Sequence, residues 1–111
     1  MRNTGKYVFW DIILVEYEFA EWTGSKLRPV VVLFRDMDDY TILKMTTKGS
    51  ESNDALALVP DDENCLKSPT YIKMGKINTF HETLFLKRIG KISSAQRATV
   101  KKYLMEFIGK L

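Results

Sequence analysis

Arg28 stands immediately before Pro29, at the head of the apolar run 29–34. A residue before proline is held extended, so the guanidinium is presented from a stiff stretch of chain. Fixed there, it can grip a phosphate through two parallel hydrogen bonds and stabilise charge on it. An arginine paired to a surface acid would leave the same trace. Thr46 and Thr47 close the next strand-like stretch, where hydroxyls beside a loop can hydrogen-bond phosphate oxygens. Threonine also favours strands for its own sake. The segment from Glu21 to Lys26 holds Gly24 and Ser25, whose backbone N–H groups are accessible to an anion, and Lys26 adds charge. Trp22 offers a face on which a base could stack, a contact of ~1–3 kcal/mol, or it folds back on the protein. Lys73, in a strand, and Lys76, in the connection that follows, would line a groove for a phosphate backbone or remain solvated.

Other chemistries are closed. Cys65 is the one cysteine and His81 the one histidine, which rules out an internal disulfide and any Cys/His metal cluster. Without a cationic neighbour, the Cys65 thiol reads as inert. The expectation is an activity with no cofactor, no metal, no histidine pair and no cysteine nucleophile.

Charge points to a polyanion. Residues 1–60 hold seven Lys/Arg against nine Asp/Glu, and residues 61–111 hold ten against five. A basic half suits nucleic acid, although a solvated face would look the same. No apolar run reaches the ~20 residues needed to span a bilayer. The first six residues are polar rather than signal-like. A cytoplasmic protein with no membrane association is expected.

The elements that must position these residues read as short strands. Residues 7–19 are aromatic and β-branched, broken by charges, and suit a long strand. Residues 20–27 carry a loop signal. The run 29–34 reads as a strand buried on both faces, with its proline at the start. A turn at 35–39 leads to a strand at 40–47 and a loop at 48–53. Further strands are expected at 55–59, 70–74 and 83–89, the last two joined by a connection around 75–79. The period then changes: Val100, Tyr103, Leu104, Phe107, Ile108 and Leu111 form one helical stripe. Ser93 with Gln96 has capping-box spacing, which starts the helix at about Ser94. No linker or repeat divides the chain, so residues 1–111 read as one domain. Its class is α+β, mainly β: a small barrel or sandwich with a C-terminal α-helix.

The order of these features resembles the MazF/PemK toxin family. It is carried by Asp11-Ile12-Ile13-Leu14-Val15, a Gly-Ser loop, Lys26-Leu27-Arg28-Pro29-Val30-Val31-Val32-Leu33, and Lys44-Met45-Thr46-Thr47. In the second half it continues through Ser68 to Lys73, Ile77-Asn78-Thr79 and Lys87 to Ser93. The resemblance implies an SH3-like barrel, a homodimer, a cognate antitoxin, and sequence-selective cleavage of single-stranded RNA. In that reaction a ribose 2′-OH attacks the adjacent phosphate without a metal. It further implies that Arg28 stabilises the transition state and that Thr46 orients the scissile phosphate, with Thr47 as the alternative. Trp10 stands where the family usually has Gly before the Asp. Lys73-Met74-Gly75 stands where some members carry Arg-x-Asp, so that carboxylate is missing.

Two other readings use the same fold. A CcdB-like toxin would grip gyrase and lack a nuclease site. A nucleic-acid-binding barrel would use the basic half without catalysis.

Overall fold

Strands 30–32 and 42–43 show why this sequence makes a two-sided sheet. Val30, Val31, Val32, Ile42 and Leu43 are all buried, yet successive side chains of a strand point to opposite faces. Both faces must therefore be covered. In the computed structural model, which describes residues 7–18, 25–47 and 54–111, this is what is found. One core joins Ile13, Val15, Val30, Val32, Tyr40, Ile42, Phe80 and Phe85 with Tyr7. The other joins Ile12, Val31, Leu43, Met45, Ile72, Met74 and Ile92 with Val100 of the C-terminal helix.

The strands are β1 (Asp11–Glu18), β2 (Ser25–Asp36), β3 (Asp39–Thr46), β4 (Ala55–Leu58), β5 (Thr70–His81) and β6 (Phe85–Lys91), followed by helix α1 (Ser94–Gly109). They form one antiparallel sheet in the order β4-β5-β3-β2-β1-β6. The two end strands do not pair with each other, so the SH3-like barrel expected from sequence is an unclosed, barrel-like sheet. The class is otherwise as read: mainly β with one C-terminal helix.

β2 is longer than the expected 29–34, taking in residues 25–27 of the expected loop and 35–36 of the expected turn, and three further elements differ from expectation. The connection expected around 75–79 is strand: β5 runs unbroken from Thr70 to His81. It absorbs the glycine as an irregularity. Leu43 pairs with Ile77 and Met45 with Ile72, so Lys44 alone faces the four residues 73–76. A glycine inside a strand often marks such a bulge.

The helix begins at Ser94, as its spacing predicts, but Ser93 makes no side-chain bond to the helix backbone. Its hydroxyl donates to Gln96 Oε1 at 3.1 Å instead. The apolar stripe is narrower than the sequence suggests. Val100 is buried and Leu104 and Phe107 pack partly on the second core, whereas Tyr103, Ile108 and Leu111 are exposed. The helix meets the sheet along one line of side chains at positions 100, 104 and 107.

The third concerns β1, which starts at Asp11 rather than near residue 7. Trp10 takes φ 73°, the left-handed region that glycine enters without cost. Hydrogen bonds on both sides fix it there: Trp10 N–H donates to Val32 O, and Trp10 O accepts from Ile92 N–H, each at 2.8 Å. The neighbouring Asp11 side chain is fully buried. It accepts from Val8 N–H at 2.9 Å and faces Arg88 and Lys91 at 3.6 and 3.9 Å.

Candidate active site

β1, β2 and β3 bring the sequence-predicted groups together by register. Val15 pairs with Arg28, and Val30 pairs with Lys44. Continuing the second register by two residues sets Arg28 against Thr46. Because side chains alternate, Arg28, Val30, Lys44 and Thr46 all fall on the face of the first core, where that core runs out. The result is a pocket of about 320 Å³, at the small end of the range for small-molecule sites.

Its floor is apolar, from Val15, Pro29, Val30, Met45 and Phe80. Its polar lining is Arg28, Lys44, Thr46, Lys73 and Lys76. Four cations thus surround one hydroxyl, and no carboxylate among the described residues lines the pocket. A lining rich in basic groups raises the local positive potential and suits an anionic ligand. The lining suits a ligand that carries anionic oxygens for the cations and carbon faces for the floor. Arg28, Lys44, Thr46 and Lys73 are half-buried, so their contacts with a ligand would be less screened than those of a fully exposed charge.

The sequence-predicted residues divide. Arg28, Thr46, Lys73 and Lys76 line the pocket. Thr47 does not: it lies exposed just past the end of β3. Trp22 and Gly24 lie outside the described residues. Ser25 and Lys26 begin β2, paired with Glu18 and Tyr17, and their side chains also lie outside what is described. Lys76 belongs to the bulged part of β5, not to a connection after it.

Lys44 is the site residue that sequence reasoning missed. The signal was present: it lies two residues from Thr46, the spacing that shares a face in a strand. Nor does the basic C-terminal half form one surface. Arg88 and Lys91 face Asp11, and two of the pocket's cations come from the acidic half. Among the described residues, no group of three or more His, Cys, Asp or Glu could hold a metal ion, and no helix is long and apolar enough to cross a membrane.

Residues 9–108 match the family of PemK-like, MazF-like toxins of type II toxin-antitoxin systems. The chain belongs to this family. Solved structures share the fold at low identity. An endoribonuclease in complex with its cognate antitoxin, from a mycobacterial species, superposes with a TM-score of 0.72 at 14% identity over 93% of this chain and 95% of that one. A mycobacterial endoribonuclease gives 0.70 at 13% identity, covering 93% and 91%. The Mycobacterium tuberculosis toxin MazF-mt6 gives 0.63 at 18% identity, covering 83% and 91%. No curated relative matches the sequence. Two features of this PemK-like chain now have a structural reading. Trp10 occupies the left-handed position where the family usually has Gly. Where some members have Asp, Gly75 leaves room that the carboxylate of Asp54 fills, with Oδ2 2.9 Å from Gly75 N.

Proposed function

We propose that this toxin is an endoribonuclease that cuts single-stranded RNA in the pocket between β1, β2, β3 and β5, by attack of a ribose 2′-OH on the adjacent phosphate. The observation that carries this reading is the meeting of Arg28 and Thr46 in one lining with three lysines. The 2′-oxygen loses its proton and bonds to phosphorus. The bond to the 5′-oxygen breaks, and that oxygen takes up a proton. The products are a 2′,3′-cyclic phosphate and a 5′-hydroxyl end.

Negative charge accumulates on the phosphorane, and a fixed cation aimed there stabilises the transition state more than the ground state. Arg28 has this role, Thr46 donates a hydrogen bond that orients the scissile phosphate, and Lys73 and Lys76 hold the flanking backbone. None of these steps requires a bound metal or cofactor. Trp22, Gly24, Ser25 and Lys26 belong to the same proposal as contacts to the substrate.

The proposal includes a cognate antitoxin, a segment whose acidic residues cover the cationic pocket, folding as it binds. It includes a homodimer, because a pocket of this size engages only a short part of an RNA strand. It also includes a one-domain chain that works in the cytoplasm.

The test is cleavage of a long single-stranded RNA in excess EDTA, with the new ends mapped, beside Arg28→Ala. Cuts at one short motif that leave cyclic phosphates, slowed about 10²–10³-fold in the variant, are expected. A folded wild-type protein that binds RNA and leaves it intact would replace the nuclease with a binding barrel.

A further inference from the structure

Lys73 and Lys76 are an odd number of residues apart, so a regular strand would send them to opposite faces. They line the same pocket because β5 is bulged there, with the four residues 73–76 standing against Lys44 alone. A bulge takes backbone groups off the ladder, and those groups need other partners.

Asp54, just before β4, meets two backbone N–H groups here: Met74's continues the β4–β5 register, and Gly75's is the one the bulge frees. Its carbonyl accepts from Met74 N–H at 2.9 Å, and its Oδ2 accepts from Gly75 N–H at 2.9 Å. The fit is close: a Cβ at residue 75 would lie 2.6 Å from Asp54 Oδ2 and 3.2 Å from Phe107 Cζ. A carboxylate can sit there only against glycine.

We propose that Asp54 is a positioning residue for anion binding: its carboxylate holds the bulge in the form that turns both Lys73 and Lys76 into the pocket beside Arg28, Lys44 and Thr46. This rests on the reading of that pocket as a phosphate site. Asp54 does not line the pocket; its carboxylate acts through the backbone N–H of Gly75. Two effects of opposite sign separate this role from simple electrostatics. Removing a negative charge near a cationic pocket strengthens anion binding. Releasing the bulge weakens it.

The experiment compares wild type, Asp54→Ala, Asp54→Asn and Gly75→Ala, each with a melting curve. One probe is inorganic pyrophosphate. The other is a single-stranded DNA oligonucleotide, which has no 2′-OH to react, titrated over a range of KCl concentrations. Asp54→Ala is expected to bind the oligonucleotide about tenfold more weakly, the scale of one charge-assisted hydrogen bond. Its slope of log K against log salt becomes shallower by ~0.7 for each phosphate that a lysine no longer neutralises. Pyrophosphate binding weakens with it. Asp54→Asn keeps a carbonyl acceptor and loses the charge, so it keeps the wild-type slope and binds at least as tightly as wild type. Gly75→Ala pushes the carboxylate away and copies Asp54→Ala; it carries the test if the latter does not fold.

A folded Asp54→Ala or Gly75→Ala with wild-type slope, or with tighter binding, overturns the proposal. So does a wild-type protein that binds neither probe. A wild type that binds both probes and leaves RNA uncut removes the nuclease reading alone, and the slopes still decide the role of Asp54.

Discussion

Lys44 stands directly opposite Val30 across the β2–β3 ladder, on the same face as Arg28 and one step along the pocket lining from it. A lysine at this position adds a point charge beside the planar guanidinium, without copying its geometry. Lys44→Ala is expected to weaken binding of single-stranded RNA several-fold and to flatten its salt dependence by ~0.7. Anisotropy titrations over a range of salt concentrations measure both. An unchanged slope would take Lys44 out of the site.

The two threonines make an internal control. Thr46 lines the pocket, whereas Thr47 is exposed beyond the strand. Thr46→Val keeps the shape and removes the hydroxyl, and should lower kcat on RNA by about tenfold or more, in line with the removal of a charge-assisted hydrogen bond. Thr47→Val should stay within about twofold of wild type. Single-turnover rates would distinguish them, and the reverse order would move the catalytic role to Thr47.

Gly90 tests the packing of β6 against the turn at Glu63 and Asn64. It lies in β6 opposite Ile12, and a Cβ there would come within 2.6 Å of Asn64 O and 2.7 Å of Glu63 O. Both atoms are backbone in a turn that also bonds Lys91 N–H at 3.0 Å, so neither can step aside cheaply. Gly90→Ala should destabilise by roughly 1–3 kcal/mol. For a chain of this size each kcal/mol lowers Tm by about 4–8 °C. A melting temperature within about 2 °C of wild type, too small a change for a clash of that size, would show that the turn gives way.

Asp61 sets an acid limit on the same turn. The backbone N–H of Asn64 holds its carboxyl below the ordinary value of 3.8, helped by the Ser93 hydroxyl and Glu63 N–H. Its carboxylate accepts from Asn64 N–H at 2.7 Å and from Glu63 N–H at 2.9 Å. A carboxyl whose folded value is depressed stabilises the fold fully above its unfolded value, and that contribution is lost as pH falls through the folded one. Asp61→Asn should therefore melt below wild type at pH 7, and the gap should close as the pH drops below 3.8. A gap independent of pH would mean that shape, not charge, holds the turn.

Much of this was legible in residue order. The apolar run after Pro29 announced a strand that is buried on both faces at Val30, Val31 and Val32, although the run ends on the exposed Phe34, and the three- and four-residue steps after Ser93 announced the helix. Arg28 and Thr46 stood out because each lies at the end of such a run. The narrow contact of the helix was not legible, since an amphipathic stripe gives the width that could be buried and not the width that its partner covers. Asp54 carried no signal, because its role depends on a glycine 21 residues away.

The sequence by itself determined the core of most strands, where the helix begins and which side chains share a face along a regular strand, because alternation and helical period are local properties of the chain. Tertiary structure decided the rest. It chose the register that places Lys44 against Val30, the bulge that turns Lys73 and Lys76 the same way, and the approach of Asp54 to Gly75. Each is a relation between strands, fixed by how two buried faces fill together, and no single segment contains it.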